Sequence, residues 1–253
     1  MSLNLVNRLY LLSQLGFFIS TKIFLSKIFF ASEVTIQRKG KSFCIRNNRS
    51  DLSIFRQIYL DEVYSLIKPK NESTSGSVVD LGANVGFFTK YYFDKYPHLN
   101  YFLLEPDIEN ANQIKKNLKE CCNWKFVFGG IGRSKEFLVN EDLNLNSCSK
   151  KYLSVNDNSS GTPAFSLKDF LCINDIKEIF ILKIDIEGAE QFLLDDLSEF
   201  IPMIRYLMIE LHDNLAPGVA SRFFKIVSLY SFKFESRGDV LLFEFNHEDL
   251  NCD

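Results

Sequence analysis

Three stretches of this 253-residue chain hold side chains whose types and spacing could do chemistry. The first is Val78-Val79-Asp80-Leu81-Gly82-Ala83-Asn84-Val85-Gly86, an apolar strand pattern that turns on glycine into a helix pattern. Glycines at 82 and 86 let the main chain approach a ligand closely, and such a turn offers amides beside a helix start. The second is Glu105, 19 residues after Gly86, at the end of another apolar run. A carboxylate there can accept hydrogen bonds from both hydroxyls of a ribose. The third is Lys183-Ile184-Asp185-Ile186-Glu187-Gly188-Ala189-Glu190, with Glu210-Leu211-His212 further on. Lys183 and Asp185 are two apart and so share one face of a strand, as do Glu210 and His212.

Strand, glycine turn, helix, strand and terminal acid together specify a nucleoside-bearing cofactor. The order G-x-N-x-G departs from the G-x-G-x-x-G that frees the backbone to hold a pyrophosphate. Asp80 precedes the turn and would repel a pyrophosphate, whereas it suits an amino group. S-Adenosylmethionine carries adenosine and an amino-acid end without phosphate, so the local charge favours it over NAD. Asp80, Gly82, Asn84, Gly86, Glu105 and Asp185 are the expected cofactor-binding residues.

Asp185, Glu187 and Glu190 form an acidic cluster, with Glu210 and His212 at the end of the next strand. His212 has an intrinsic pKa near neutrality, which suits a base that takes the proton of an alcohol acceptor. Asp185 or Glu187 would orient the acceptor or the amino end of the cofactor. Asp185, His212 and Glu187 are thus the candidate catalytic residues, and Glu190 and Glu210 the candidates for acceptor binding. No metal is expected; an alternative set of Asp185, Glu210 and His212 could supply oxygen and imidazole ligands to Mg2+ or Mn2+. Lys183 reads as a partner of the carboxylates.

The elements that must position these groups follow from the hydrophobic pattern. At 46% hydrophobic and 24% charged residues, the chain has globular composition. A net charge of -3 gives no general attraction to nucleic acid. Short apolar strands at Ser77–Leu81, Tyr101–Leu104, Trp124–Phe128, Phe180–Ile184 and Tyr206–Leu211 alternate with helices. The helices are expected over Gly86–Lys95, Asp107–Glu120, Ala189–Phe200 and Val219–Tyr230. Phe232–Phe234 and Val240–Phe245 read as a closing antiparallel hairpin. This is an α/β pattern, a Rossmann-like and mostly parallel sheet covered by helices on both faces.

Ahead of that core, at residues 33–76, come a hairpin across Val34–Ile45 and a helix capped by Asp51 and stopped by Pro69. Residues 1–32 lack acidic residues and place Leu5, Leu9, Leu12, Leu15, Ile19 and Ile23 at helical spacing. Their longest uncharged run, Leu9 to Thr21, has 13 residues, short of the roughly 20 that a bilayer span needs. That segment is expected either to rest on a membrane surface or to pack on the domain's own flank. The core, 77–253, is interrupted at 140–163 by a polar insertion with five Asn and five Ser, a candidate lid or a solvated loop. Six scattered cysteines without a C-x-x-C pair, and only three histidines, argue for a reduced compartment and against zinc. The expected location is cytoplasmic.

Asp80–Gly86 with Glu105-Pro106, Lys183–Glu190 and Ile209–His212 together resemble the FkbM family of S-adenosylmethionine-dependent methyltransferases. The resemblance runs from about Asp51 to Phe245 and is most specific over Leu182–Glu190. It implies a seven-stranded methyltransferase sheet and O-methylation of sugars, glycolipids or natural products. It also implies that Gly82, Asn84 and Gly86 line the methionine portion of the cofactor. Glu105 would hold the ribose, and Asp185 would sit beside the reacting methyl. The acceptor would be a small molecule or glycan, lipid-linked if residues 1–32 reach a membrane. An NAD-dependent oxidoreductase and a non-catalytic nucleoside-binding module are the alternatives.

Overall fold

The computed structural model describes residue 21 and residues 32–67, 74–133, 136–140, 152–155 and 161–246. The expected N-terminal helix over 1–32 therefore lies almost wholly outside the described residues. No described helix is long and apolar enough to cross a membrane. The chain forms two compact units, Met1–Glu62 and Val63–Asp253.

In the first unit, β1 (Glu33–Arg38) and β2 (Lys41–Arg46) make an antiparallel hairpin. Its two turn residues, Lys39 and Gly40, both have positive φ, the geometry that matches strand twist in a two-residue loop. Helix α1 (Arg49–Tyr59) follows. Its cap is Asn48, not Asp51: the Asn48 side chain accepts from the amide of Asp51. The Asp51 carboxylate instead takes the Arg46 guanidinium, with Nη2 2.7 Å from Oδ1. Phe43 and Phe55 meet edge to face at 5.1 Å between centroids in this small core. The helix ends at Tyr59, ten residues before Pro69, because the amides of Leu60 and Asp61 both turn back to the Arg56 carbonyl.

In the second unit, five parallel strands carry the architecture: β3 (Ser77–Leu81), β4 (Asn100–Glu105), β5 (Trp124–Phe128), β10 (Ile179–Ile184) and β11 (Ile204–Glu210). Two antiparallel strands, β12 (Phe232–Arg237) and β13 (Val240–Phe245), complete a seven-stranded sheet of order β12-β13-β11-β10-β3-β4-β5. The chain moves outward from β3 to β5 and re-enters at β10 on the other side of β3. The ends of β3 and β10 thus flank a topological switch point, where open parallel sheets bind ligands.

Both central strands are buried throughout, as near-continuous apolar runs require. On one face, Val79, Leu81, Leu182 and Ile184 pack with Leu193 and Leu197 of α5 (Glu190–Phe200) and Phe223 of α6 (Val219–Val227). The opposite face is aromatic and meets α2 (Phe87–Phe93), where Phe88 and Tyr92 rings lie 4.9 Å apart. Helix α3 (Ile108–Asn117) follows β4, capped by Asp107.

The 140–163 insertion is not one loop. Its ends enter a second sheet of order β6-β9-β7-β8: β6 (Gly130–Ile131), β7 (Phe137–Asn140), β8 (Tyr152–Val155) and β9 (Thr162–Phe165). A further helix, α4 (Leu167–Ile173), was not anticipated; Ser166 and Asp169 form a reciprocal capping box at its start.

Candidate active site at the strand ends

Strand β3 delivers Asp80 into the interior and then breaks at Gly82, whose φ is +77°. A Cβ there would lie 1.8 Å from the carbonyl oxygen of Asp185, so only glycine lets the ends of β3 and β10 come this close. The amides of Gly82 and Ala83 both donate to the Leu104 carbonyl at 3.0 Å. The amide of Asn84 donates to Glu105 Oε2 at 2.8 Å. The ligand-facing amides expected of this turn are therefore already used, which corrects the sequence reading and leaves no phosphate cradle in these three positions. Asn84 takes a left-handed φ of +49°, and its buried Oδ1 has no hydrogen-bond partner. Gly86, at φ +80°, opens α2.

Glu105 closes β4 beneath the turn. Its Oε1 accepts from the amide of Asp107 and the side chain of Asn110, at 3.0 and 3.1 Å. Burial pushes its pKa up to about 7 in spite of these donors. Oε2 accepts from the Asn84 amide, and a carboxylate oxygen has a second lone pair that can take a further hydrogen bond.

Asp80 is fully buried and does not form part of the surface of the turn. Thr89 donates to its Oδ2 at 2.7 Å, and Lys183 Nζ stands 3.4 Å from its Oδ1. The expected repulsion of a pyrophosphate by Asp80 therefore gives way to an internal ion pair. Lys183 also donates to the Gly82 carbonyl at 2.6 Å and lies 3.6 Å from Asp185 Oδ2. Burial opposes its charge, but Asp80 and Asp185 more than offset this and hold its pKa above the ordinary lysine value.

Past β10, Glu187 adopts a left-handed φ of +51°. His212, just after β11, lies among three acids. Its Nδ1 is 2.6 Å from Glu190 Oε1; its Nε2 is 3.4 Å from Glu187 Oε2 and 3.9 Å from Asp185 Oδ1. Burial alone would lower the His212 pKa, but the Glu190 hydrogen bond and the three negative charges raise it to about 9. The near-neutral titration expected of His212 is thus displaced, and the imidazole is protonated at neutral pH in the ligand-free site.

Glu190, expected to touch the acceptor, is fully buried at the start of α5 and acts on His212 instead. Glu210 is held by the Tyr64 hydroxyl, which donates to it at 2.6 Å. Burial and then the charge of Asp185 raise the Glu210 pKa to about 7. The side-chain cluster that could hold a metal among the described residues is Asp185, Glu187 and His212, with Glu187 in the place that the sequence reading gave to Glu210. Tyr64 was missed altogether: it lies 146 residues from its partner, in a segment with no motif.

The chain is 27% identical over 186 residues to Methyltransferase 1 of Beauveria bassiana (strain ARSEF 2860), spanning 64% of this chain and 73% of that one. A crystal structure of Methyltransferase FkbM from Methylobacillus flagellatus KT aligns with a TM-score of 0.46 at 17% identity. That alignment covers 76% of this chain and about half, 52%, of the other. The M. jannaschii TYW2 structure in complex with AdoMet aligns at a TM-score of 0.44 and 12% identity, over 85% of this chain and 87% of that one. The methyltransferase FkbM domain matches residues 80–241, more than half of the chain and every strand of the parallel sheet from Asp80 onward. On that match, the chain belongs to the FkbM methyltransferase domain family.

Proposed function

We propose that the protein is an S-adenosylmethionine-dependent methyltransferase that methylates a hydroxyl oxygen on a sugar, glycolipid or related metabolite. The observation that carries this reading is the Asn84–Glu105 hydrogen bond just beyond β3 and at the end of β4, on the same sheet edge as the Asp185–Glu187–His212 cluster that follows β10 and β11. The residues fit such a cofactor. Glu105 keeps acceptor capacity on Oε2 for a ribose hydroxyl, and the orphaned Asn84 Oδ1 suits an ammonium donor. The amides of Gly82, Ala83 and Asn84 are spent internally, which disfavours NAD.

When bound, S-adenosylmethionine supplies an electrophilic methyl group on a sulfonium. The chain's own contribution is alignment of the acceptor and exclusion of water. Asp185, at 28% side-chain exposure, would orient either the amino end of the cofactor or the acceptor. His212 faces Glu190 with Nδ1 and Glu187 and Asp185 with Nε2; when protonated it has to lose a proton before it serves as a base.

Transfer of a labelled methyl group from S-adenosylmethionine to a panel of sugars and glycolipids tests the acceptor class. The expected product is a methyl ether, identified by mass spectrometry. Label appearing only on nitrogen or carbon acceptors would refute O-methylation. Residues 1–32 are proposed to bring the enzyme to lipid-linked glycans. Equal flotation with anionic vesicles of the full chain and of a chain lacking 1–32 would refute that proposal.

A further inference from the structure

We propose that Asp185, Glu187 and His212 form a binding site for one divalent cation of the Mg2+ or Mn2+ kind. One ligand atom from each residue lies within 4.8 Å of the others. His212 Nε2 is 3.4 Å from Glu187 Oε2 and 3.9 Å from Asp185 Oδ1. Octahedral ligands about 2.1 Å from a Mg2+-sized ion are about 3 Å apart when adjacent and about 4.2 Å apart when opposite. The two His212 spacings, 3.4 and 3.9 Å, lie between these separations, and the third pair lies within 4.8 Å. All three side chains are partly exposed, at 18–29% of their side-chain surface.

A second observation points to a ligand. Glu190 is fully buried, and its Oε1 sits 2.6 Å from His212 Nδ1, which fixes the imidazole with Nε2 turned to the two carboxylates. A carboxylate behind a histidine is the outer partner that orients metal-bound imidazoles and raises their basicity. The other Glu190 oxygen is buried with no hydrogen-bond partner. Lys183, the ammonium beside Asp185, is engaged by Asp80 and the Gly82 carbonyl. Two carboxylates and one imidazole without a thiolate suit a hard or borderline ion. Such an ion has open positions for an acceptor hydroxyl, whose acidity it would raise. That use rests on the proposed methyl transfer; cation binding does not.

The test is titration of the EDTA-stripped full-length chain with Mn2+ alone, following the loss of the free-ion paramagnetic resonance signal. The expected result is one saturable site per chain. Binding should weaken at least about tenfold in Glu187→Gln and His212→Ala, and about 10- to 100-fold in Glu190→Gln, which alters only the partner behind the imidazole. Melting curves identify any variant that fails to fold, and Glu187→Gln, partly exposed, is the variant least exposed to that failure. Absence of saturable binding, or equal affinity in Glu187→Gln and the unaltered chain, would overturn the proposal. S-Adenosylhomocysteine titration of the stripped chain separates the two readings: its binding without Mn2+ binding removes the cation site alone, and the reverse removes the cofactor reading alone.

Discussion

Asp80 and Lys183 are register partners on adjacent parallel strands, and their charged ends stand 3.4 Å apart in the interior. The pair ties β3 to β10 at the point where the sheet changes direction, and the Lys183 bond to the Gly82 carbonyl fixes the turn above it. Removing one partner leaves the other buried and uncompensated, which typically costs about 3–5 kcal/mol. Lys183→Met is therefore expected to lower the melting temperature by roughly 10 °C for a unit of this size. Asp80→Asn combined with Lys183→Met should cost less than the two single changes added together. Additive losses in thermal melts would show that the charges do not act as a pair.

The two turn glycines should differ in their tolerance of a methyl group. A Cβ on Gly82 collides with the Asp185 carbonyl, whereas one on Gly86 meets Leu118 at an ordinary 3.4 Å. Gly82→Ala is expected to cost about 1–3 kcal/mol from overpacking, beyond the backbone strain that both positions share. Urea midpoints should rank the unaltered chain above Gly86→Ala and Gly86→Ala above Gly82→Ala. Equal midpoints for the two variants would contradict the close approach of β3 and β10.

Burial raises the pKa of Glu105 and of Glu210 to about 7, from an ordinary value of 4.5. Between these values the folded chain holds protons that the unfolded chain has released, so the contribution of both groups to stability falls as pH rises from about 4.5 to about 7. Glu210→Gln keeps an acceptor for Tyr64 while abolishing one of the two titrations. Its stability should fall less steeply than that of the unaltered chain across this interval, as measured by denaturant unfolding at successive pH values. Parallel slopes would contradict the placement of Glu210.

In the N-terminal unit, Asn48→Ala removes the cap of α1 and should cost about 1 kcal/mol. Faster hydrogen exchange at the Asp51 amide is the direct readout. Unchanged exchange there would return the capping role to another residue.

Much of this architecture is legible in the sequence because burial on both faces writes itself as near-continuous apolar runs, broken in the two central strands by Asp80 and Lys183, which pair with each other. Ser77–Leu81 and Ile179–Ile184 are such runs, and both occupy the sheet centre. The glycine turn and the acidic cluster were legible for the same local reason: type and spacing alone mark them. What was not legible depends on distance. Nothing near Tyr64 announces Glu210, and nothing near Glu190 announces that it would be sealed behind His212. The role of Asp80 changed because its charge was read without the lysine that register places beside it. Helix α4 carried a readable signal, Ser166-x-x-Asp169 ahead of Phe170 and Leu171. Strand β8 did not, lying inside an Asn- and Ser-rich stretch where composition outweighs a four-residue pattern.

The measurement that bears most directly on the account is calorimetric titration of the full chain with S-adenosylhomocysteine, run beside NAD. The account predicts saturable binding of S-adenosylhomocysteine, weakened at least about tenfold by Glu105→Ala through loss of roughly 1.4 kcal/mol or more of ribose hydrogen bonding. It predicts no saturable binding of NAD. Binding of NAD alone, or S-adenosylhomocysteine binding indifferent to Glu105, would contradict the cofactor site proposed beside Asn84 and Glu105.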